Sequence, residues 1–451
     1  MNSPLANPPP VSEQGIPTLI KEHRSGQFTD IAPIPTSIAQ TNLSLQLLKD
    51  LLLKHVFDMT VASIRELSGS MALSGAIVDE LIQLLRADAL LQLSSSGQQR
   101  DELTFRLTER GRLEARDALS RSGYSGAAPI ALCDYYRVVN HYSLLKHQIS
   151  RVQVKCLFNS FVIDQGLLDQ LGAAFNSHRA IFVYGHAGTG KTYTISKLSS
   201  LFGDNCLIPY AVASGDSIIQ LYDPQVHRKL ELNKARTTSL RYAEAYDSRY
   251  VPCQRPIVVV GGELTLDQLE VSYEADTRLY QAPLQLKANC GLFIIDDMGR
   301  QSVSPKAIFN RWIVPMEDRR DFLTLSNGQH FETPFDVQLV FSSNINPLEL
   351  ADEALLRRIG FKIKFHHVSD KAYTEIWRQE LDKAGLEFDL EICRYLIEDL
   401  HHKQGVDLAP CHPRDLINTA LSQIHYLATE PVVTKELLDW SWNNYFVQLD
   451  V

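Results

Sequence analysis

Eight consecutive residues near the middle of the chain have the types and spacing of a loop that binds phosphate. Residues 185–192 read Gly-His-Ala-Gly-Thr-Gly-Lys-Thr and match the pattern GxxxxGK(S/T). Glycines let the backbone curl so that its N–H groups point at an anion, and a helix that begins there adds a favourable dipole. Lys191 is placed to reach the β- and γ-phosphates of a nucleotide, and the Thr192 hydroxyl to ligate Mg²⁺. The predicted nucleotide-binding residues are Gly185, His186, Ala187, Gly188, Thr189, Gly190, Lys191 and Thr192.

The segments around this loop have the patterns of the elements that must hold it. Residues 180–184 are a short apolar and aromatic run of the kind found in buried strands. Ile195, Leu198 and Leu201 follow at helical spacing. A chance glycine-rich turn needs neither a strand before it nor an amphipathic helix behind it, so this context favours a phosphate-binding loop.

A second chemical signal is a pair of carboxylates at the end of an apolar run. Residues 291–297 read Gly-Leu-Phe-Ile-Ile-Asp-Asp, which is typical of a buried strand that ends in acidic side chains. Asp296 is placed to hold Mg²⁺, and Asp297 to orient or deprotonate an attacking water. Downstream of a phosphate-binding loop, this pair predicts the second half of the same site.

The two motifs together resemble those of the AAA+ ATPases, over residues 158–451. The resemblance implies an α/β fold in which a P-loop AAA+ parallel sheet is flanked by helices and followed by an all-helical lid. It also implies ATP and Mg²⁺ as cofactors, hydrolysis of ATP between subunits, and a homo-oligomeric ring, with a hexamer as the expected assembly.

Two polar residues are expected at the γ-phosphate from the same resemblance. Residues 337–344 resemble the central strand that ends in the sensor-1 residue, which makes Asn344 the candidate and Asn346 its substitute. Residues 413–416 resemble the sensor-2 start of a lid helix, with Arg414 facing the γ-phosphate.

An arginine from a neighbouring subunit is also implied. Residues 352–359 resemble the helix that presents an arginine finger across the subunit interface, so Arg357 or Arg358 is the expected finger. One position departs from the family, because Asp297 stands where a glutamate is more common. The shorter side chain is expected to slow hydrolysis or to shift the base role to another group.

Residues just before the sensor-1 strand indicate which subgroup of AAA+ ATPases the chain resembles. Residues 321–334 alternate apolar and polar side chains around Asn327-Gly328, which predicts a β-hairpin with a type I′ turn. A hairpin here resembles the presensor-1 insertion of MoxR-type ATPases, MCM helicases and bacterial enhancer-binding proteins. Residues 286–295 also resemble the enhancer-binding and MoxR lineages.

The N-terminal part resembles a winged-helix domain, since helical patterns over residues 43–87 precede a predicted β-hairpin and a helix from Thr108. Thr60 and Ser74 are the expected caps of the second and third helices. The third helix, in the recognition position, carries Asp79 and Glu80 with a single arginine, which favours contact with protein over contact with DNA.

Composition shifts divide the chain into five predicted parts. These are a flexible lead (1–36), a winged-helix domain (37–121), a hinge and helical linker (122–157), an AAA+ core (158–368) and a helical lid (369–451). Within the core, Gly261-Gly262 precedes a predicted helical run over residues 266–273. That segment is predicted to be either a loop that grips a substrate or a structural insertion.

The overall composition limits the classes of partner that the protein is expected to bind. Forty-four basic and 53 acidic residues give a net charge of −9, so no general basic field is available to hold nucleic acid. Seven cysteines without a CxxC pair, no signal peptide and no apolar run of about 20 residues indicate a cytoplasmic protein without membrane contact.

Three functions are therefore open. The first is an ATPase that remodels or loads a macromolecular partner, with an unidentified protein as the expected client. The second is a DNA- or transcription-linked motor recruited through the winged helix, which the acidic charge disfavours. The third is a nucleotide-gated scaffold with slow turnover, for which Asp297 gives some support.

Overall fold

The computed structural model describes residues 31–95, 103–203, 205–230 and 246–446. Several expectations fall elsewhere: most of the predicted lead, the tip of the first hairpin and the polar stretch around Tyr242 lie outside the described residues. No helix in the described part of the chain is long and apolar enough to cross a membrane.

The N-terminal unit consists of helices around a small antiparallel sheet. Its elements are α1 (Leu45–Met59), β1 (Ala62–Ser63), α2 (Ile64–Met71), α3 (Gly75–Ala87), β2 (Leu91–Ser95), β3 (Thr104–Leu107) and α4 (Glu109–Arg121). The element order agrees with the sequence, but the predicted cap of α2 is wrong. Ser63 caps α2 by accepting the N–H of Glu66, while Thr60 lies outside the helix with a φ of +64°. Ser74 precedes α3 as predicted, although its hydroxyl makes no capping bond.

The segment that follows α4, where the sequence predicts a hinge, is packed on both sides. The N–H of Gly123 donates to the carbonyl of Arg278 (3.1 Å), and that of Ala128 donates to the carbonyl of Met71 (2.8 Å). Tyr124 is buried in the apolar core of the N-terminal unit. These contacts tie the N-terminal unit to the rest of the chain.

The chain continues through further sheets and the helices that cover them. These elements are β4 (Ile130–Ala131), α5 (Leu132–His141), α6 (Arg151–Leu157), α7 (Gln165–Asn176), β5 (Ile181–Tyr184), α8 (Lys191–Leu198), β6 (Cys206–Pro209), β7 (Ala211–Ser214), β8 (Ser217–Gln220), β9 (Tyr250–Cys253), β10 (Ile257–Val260), β11 (Ser272–Glu274), β12 (Leu279–Gln281), α9 (Leu284–Lys287), β13 (Gly291–Ile295), α10 (Pro305–Asp318), β14 (Arg320–Thr324), β15 (His330–Pro334), β16 (Val337–Ser343), α11 (Pro347–Leu350), α12 (Glu353–Arg358) and β17 (Phe361–Lys364).

A five-stranded parallel sheet in the order β10-β13-β16-β5-β17 is the centre of this part. Strand β13 is buried at every position, as expected for a parallel strand covered on both faces. Phe293 belongs to the core against Trp312 of α10, and Ile294 to the core against Phe175 of α7 and Ile195 of α8. The predicted α/β class, a parallel sheet flanked by helices, is confirmed.

A second, mixed sheet in the order β11-β12-β8-β7-β4 lies against the N-terminal unit. Ala211 and Ala213 of β7 belong to the core of that unit, while Val212 between them faces the opposite core. The helix predicted over residues 266–273 is wrong. A single 3₁₀ turn at Asp267–Leu269 is followed by β11, because pairing of β11 with β12 overrides the local apolar spacing.

The hairpin predicted before the sensor-1 strand is confirmed as β14 and β15, which pair antiparallel between α10 and β16. Its predicted type I′ turn is wrong. Gly328 has a φ of +83°, Asn327 has no positive φ, and the N–H of Gly328 donates to the carbonyl of Leu325 (2.9 Å). A three-residue loop with glycine in the left-handed position closes the hairpin instead.

The chain then forms an all-helical unit, as expected of a lid. Its elements are α13 (Asp370–Ala384), α14 (Leu390–Arg394), a π-helical stretch (Tyr395–His402), α15 (His412–Leu427) and α16 (Lys435–Tyr445). Tyr373, Trp377, Leu396 and Trp442 lie in its apolar core.

Candidate functional site

The glycine-rich loop follows the carboxyl end of β5 and leads directly into α8. Gly185 has a φ of +145°, and a Cβ there would lie 2.2 Å from the carbonyl oxygen of Phe365. Gly188 has a φ of +76°. Only glycine fits these two backbone positions. The Thr189 hydroxyl closes the turn by donating to the carbonyl of His186 (2.8 Å).

Lys191 is the cation of this loop, and its side chain is buried. Its ammonium group donates to the carbonyls of Gly185 and His186 (both 2.9 Å) and to Oδ1 of Asn344 (2.8 Å). Burial lowers the pKa of Lys191, and the charges of Asp296 and Asp297 oppose that shift. The ammonium group is therefore held at the loop by neutral oxygens that an incoming phosphate can replace.

Thr192 and Asp296 meet at the carboxyl edge of the sheet. The hydroxyl of Thr192 donates to Oδ2 of Asp296 at 2.5 Å. Mg²⁺ prefers hard oxygen ligands and is commonly held by one or two carboxylates together with substrate phosphates. A hydroxyl and a carboxylate in contact beside this glycine-rich loop therefore fit this ion.

Asp297 and Asn344 lie beside the lysine. Nδ2 of Asn344 donates to Oδ1 of Asp297 (3.2 Å), so the amide of Asn344 bridges Asp297 and Lys191. Asp297 has a left-handed backbone with a φ of +49°. The substitute candidate Asn346 is excluded from this group, because its side chain caps α11 by accepting the N–H of Leu348.

The site is a cavity of about 320 Å³. It is lined by Ala187, Gly188, Gly190, Lys191, Thr192, Tyr193, Asp296, Asp297, Arg300 and Asn344. Sequence reasoning missed Tyr193 and Arg300. Tyr193 follows the motif directly and could have been found from the first turn of α8. Arg300 lies 3.9 Å from Asp297 only because the loop after β13 turns back, which no local pattern indicates.

Arg357 and Arg358 lie at the opposite edge of the sheet. They are the last two residues of α12 and come just before β17. Strand β17 runs parallel to β5, toward the glycine-rich loop, and its four residues span about 13 Å. The two arginines therefore lie about one strand length from that loop. Arg358 donates to Glu317 at 2.5 Å, whereas the Arg357 guanidinium is exposed and pairs with no described residue. Neither arginine is brought to the cavity of its own chain.

A recess of about 650 Å³ surrounds this pair of arginines. Arg179 and Arg319 also line it, so four arginines face one open space. The side chain of Arg179 donates to the carbonyl of Arg357 at 3.3 Å, at the end of α12. Glu317 lines the same recess and pairs with Arg358, so the charged side chains there are four arginines and one carboxylate.

The lid meets the phosphate-binding loop at the start of α15. A Cβ on Gly188 would lie 2.4 Å from the sulfur of Cys411, and the rings of His186 and His367 are 4.6 Å apart. Arg414, the expected sensor-2 residue, does not line the cavity. Its exposed guanidinium donates to the neighbouring carboxylate of Asp415 at 3.1 Å.

Comparison with known proteins gives one family match and several distant structural likenesses. Residues 369–444 match a family described as a domain of unknown function (DUF8689). No curated protein matches the chain.

Two solved structures illustrate the structural likenesses. A mutant of RuvB from Thermotoga maritima is 12% identical with a TM-score of 0.35, over 66% of this chain and 71% of its own. NtrX from Brucella abortus is 12% identical with a TM-score of 0.36, over 73% of this chain and 61% of its own.

Proposed function

We propose that this chain is an AAA+ ATPase that binds and hydrolyses Mg·ATP at the carboxyl edge of its parallel sheet. The main observation behind the proposal is that three segments distant in sequence meet there: the glycine-rich loop, the acidic pair after β13 and the residue that follows β16. Lys191 lies 2.8 Å from Asn344, and Thr192 lies 2.5 Å from Asp296. A purely structural glycine-rich turn does not require a lysine, two carboxylates and an amide around one cavity.

Each side chain has a task that follows from its position. Lys191 exchanges its carbonyl partners for the β- and γ-phosphates. Thr192 and Asp296 would hold Mg²⁺, which would neutralise part of the phosphate charge. Asp297 orients the attacking water and accepts its proton, and Asn344 fixes the position of Asp297 through their hydrogen bond.

We propose that Arg357 of a neighbouring copy completes the site in a homo-oligomeric ring, with a hexamer as the expected assembly. Arg357 is favoured over Arg358 because the latter is neutralised by Glu317. An arginine that stabilises the transferring phosphoryl group is worth about 10³–10⁵ in rate. The position of Arg357 at the edge opposite the cavity supports a role in trans.

The proposed task of this ATPase is to remodel or load a macromolecular partner, most simply a protein, in the cytoplasm. All seven cysteines are free, which suits a reducing compartment. Exposed Glu80 on α3 and the net charge of −9 disfavour the alternative of a DNA-linked motor. The winged-helix assignment and the MoxR-like subgroup belong to this proposal, as does Arg414 moving toward the γ-phosphate when the lid closes.

Titration with a fluorescent ATP analogue tests the nucleotide site. Lys191→Ala removes the cation of the loop and should abolish measurable binding, whereas Asp297→Asn should bind normally and lose turnover. Lys371→Ala removes an exposed lysine on α13 and is the matched control for the loss of one charge. Wild-type affinity in Lys191→Ala contradicts the proposal. If the wild-type protein binds the nucleotide but shows negligible turnover, the nucleotide-gated scaffold is favoured instead. The short side chain of Asp297 supports that alternative.

A further inference from the structure

Gln301 is a buried glutamine just behind the acidic pair, and only 9% of it is exposed. Its side-chain amide donates to the carbonyl of Asp296 (3.0 Å) and to the carbonyl of Gly261 (3.1 Å). Its side-chain oxygen accepts the N–H of Gly299 (2.9 Å). Three backbone groups thus converge on one side chain that sequence reasoning did not single out.

These bonds help to hold a loop whose backbone conformation is unfavourable. The loop between Asp296 and Gln301 includes two residues with positive φ, Asp297 at +49° and Gly299 at +105°. A left-handed backbone at a residue other than glycine costs about 1–3 kcal/mol and persists only where the surroundings enforce it.

The loop is fixed from both neighbouring strands. On the β16 side, the N–H of Met298 donates to the carbonyl of Ser342 (2.8 Å), and the hydroxyl of Ser343 donates to the carbonyl of Met298 (2.6 Å). On the β10 side, the N–H of Asp296 donates to the carbonyl of Val260 (2.7 Å) where the loop begins, and Gln301 contacts Gly261 just after that strand. Without Gln301, the part of the loop after Asp296 loses its side-chain contact with the β10 side.

We infer that Gln301 is a positioning residue that sets the direction of the Asp297 carboxylate for hydrolysis. The inference rests on the proposed ATPase function. Removing the side-chain amide leaves the part-buried carbonyls of Asp296 and Gly261 without this donor and weakens the hold on the strained conformation of the loop. Lys191 and Thr192 are untouched by that change, so nucleotide binding is retained while the position of Asp297 is lost.

The test is steady-state ATP turnover and nucleotide affinity of Gln301→Met, which keeps the length of the side chain and removes its hydrogen bonds. We expect kcat to fall by about 10–100-fold, the usual effect of losing a partner behind a catalytic or metal-binding group. The affinity for a fluorescent ATP analogue should stay within about three-fold of wild type, because the phosphate-binding loop is intact.

Gln285→Met is the matched control. Gln285 is 1% exposed, and its amide also donates to two oxygens, of Leu269 (2.7 Å) and Asp321 (2.9 Å), away from the cavity. This variant should lose stability and keep kcat. Equal losses of kcat in both variants, or a Gln301→Met turnover within about three-fold of wild type, overturn the inference. Absence of turnover in the wild-type protein contradicts the proposed function itself, and the inference with it.

Gln301→Glu keeps the inference testable if Gln301→Met does not fold. At neutral pH its carboxylate faces the carbonyls of Asp296 and Gly261 without a proton to donate, so kcat should fall as well. Once protonated, the carboxyl group has one O–H and donates again to one of the two carbonyls. The ratio of its kcat to that of wild type should therefore rise as the pH is lowered from 8 to 6, and a ratio that stays constant contradicts the inference.

Discussion

At the scale of single residues, the site depends on the amide of Asn344. Its oxygen accepts from Lys191 at 2.8 Å and its nitrogen donates to Asp297 at 3.2 Å. These two bonds set the spacing between Lys191, which we propose binds phosphate, and Asp297, which we propose orients water. Asn346, two residues on, serves only the start of α11.

These two asparagines therefore make a matched pair of variants. Asn344→Ala should lower kcat by about 10–100-fold, because Lys191 and Asp297 both lose a partner. Asn346→Ala should keep kcat and cost about 1 kcal/mol of stability, the usual effect of removing a helix cap. Turnover assays and urea unfolding of both variants check this expectation. An unchanged kcat in Asn344→Ala would remove that residue from the site.

Site residues that belong to a local motif could be predicted from the sequence. Site residues that a turn of the backbone brings to the cavity could not. The loop around Lys191 and the pair Asp296-Asp297 have fixed spacing, and a parallel sheet brings them together at its carboxyl edge. Arg300 and Gln301 reach the site through the backward turn after β13, which depends on positive φ angles and on contacts with β10 and β16.

At the scale of elements, the lid is built around a buried histidine. His401 is fully buried, and its Nδ1–H donates to the carbonyl of Val406 (3.0 Å), so that Nε2 of the neutral ring accepts the Tyr373 hydroxyl (2.8 Å). Trp442 packs against it edge-on at 4.7 Å. Burial lowers the pKa of His401 to about 4.

The lid should therefore lose stability as the pH falls. The unfolded chain takes up a proton near the ordinary histidine pKa of about 6.5, whereas folded His401 stays neutral until about pH 4. Its contribution is complete above pH 6.5 and declines below it, by about 2 kcal/mol at pH 5. Urea unfolding followed by tryptophan fluorescence at pH 7.5 and 5 should show this loss, and His401→Phe should show a smaller one. Identical losses in the two proteins would contradict this expectation.

Helices and strands with a clear local pattern of apolar residues could be predicted. Strands that form because a distant strand pairs with them could not. The strand β13 is a continuous apolar run, and the lid helices have regular apolar spacing, so both could be expected from the sequence. The segment 266–273 has helical spacing as well, yet β11 forms there because β12 offers it a partner. The turn at Asn327-Gly328 differs because three residues, not two, close the hairpin.

At the scale of the whole molecule, the N-terminal unit is part of a continuous body with the mixed sheet. Its core includes Ala211 and Ile218 of that sheet, and Gly123 lies against the turn between β11 and β12. A Cβ on Gly123 would lie 1.8 Å from the carbonyl oxygen of Thr277. The hinge predicted from residue 122 onward is instead a packed joint, because Gly123 permits close backbone contact.

Substitution of Gly123 should lower the stability of the folded chain. We expect Gly123→Ala to cost about 1–3 kcal/mol, since the new methyl group overlaps a backbone carbonyl that cannot move aside cheaply. Gly69→Ala in α2 is the matched control, because nothing lies within 4 Å of its Cβ and alanine favours a helix. Thermal unfolding should show a lower midpoint for the first variant and an equal or higher one for the second. The reverse order would contradict the packed joint.

ATP hydrolysis is proposed to need a cavity built by Lys191, Asp296, Asp297 and Asn344 and completed by Arg357 of another copy. ATP turnover of a mixture of Lys191→Ala and Arg357→Ala chains measures both requirements at once. Each variant alone should be inactive, the first without a phosphate site and the second without a finger to donate, while Arg358→Ala stays close to wild type. Mixed assemblies should recover part of the wild-type rate, because some interfaces pair an intact cavity with an intact Arg357. No recovery in assemblies whose mixing is confirmed by mass, or no turnover in the wild-type protein, would contradict this mechanism.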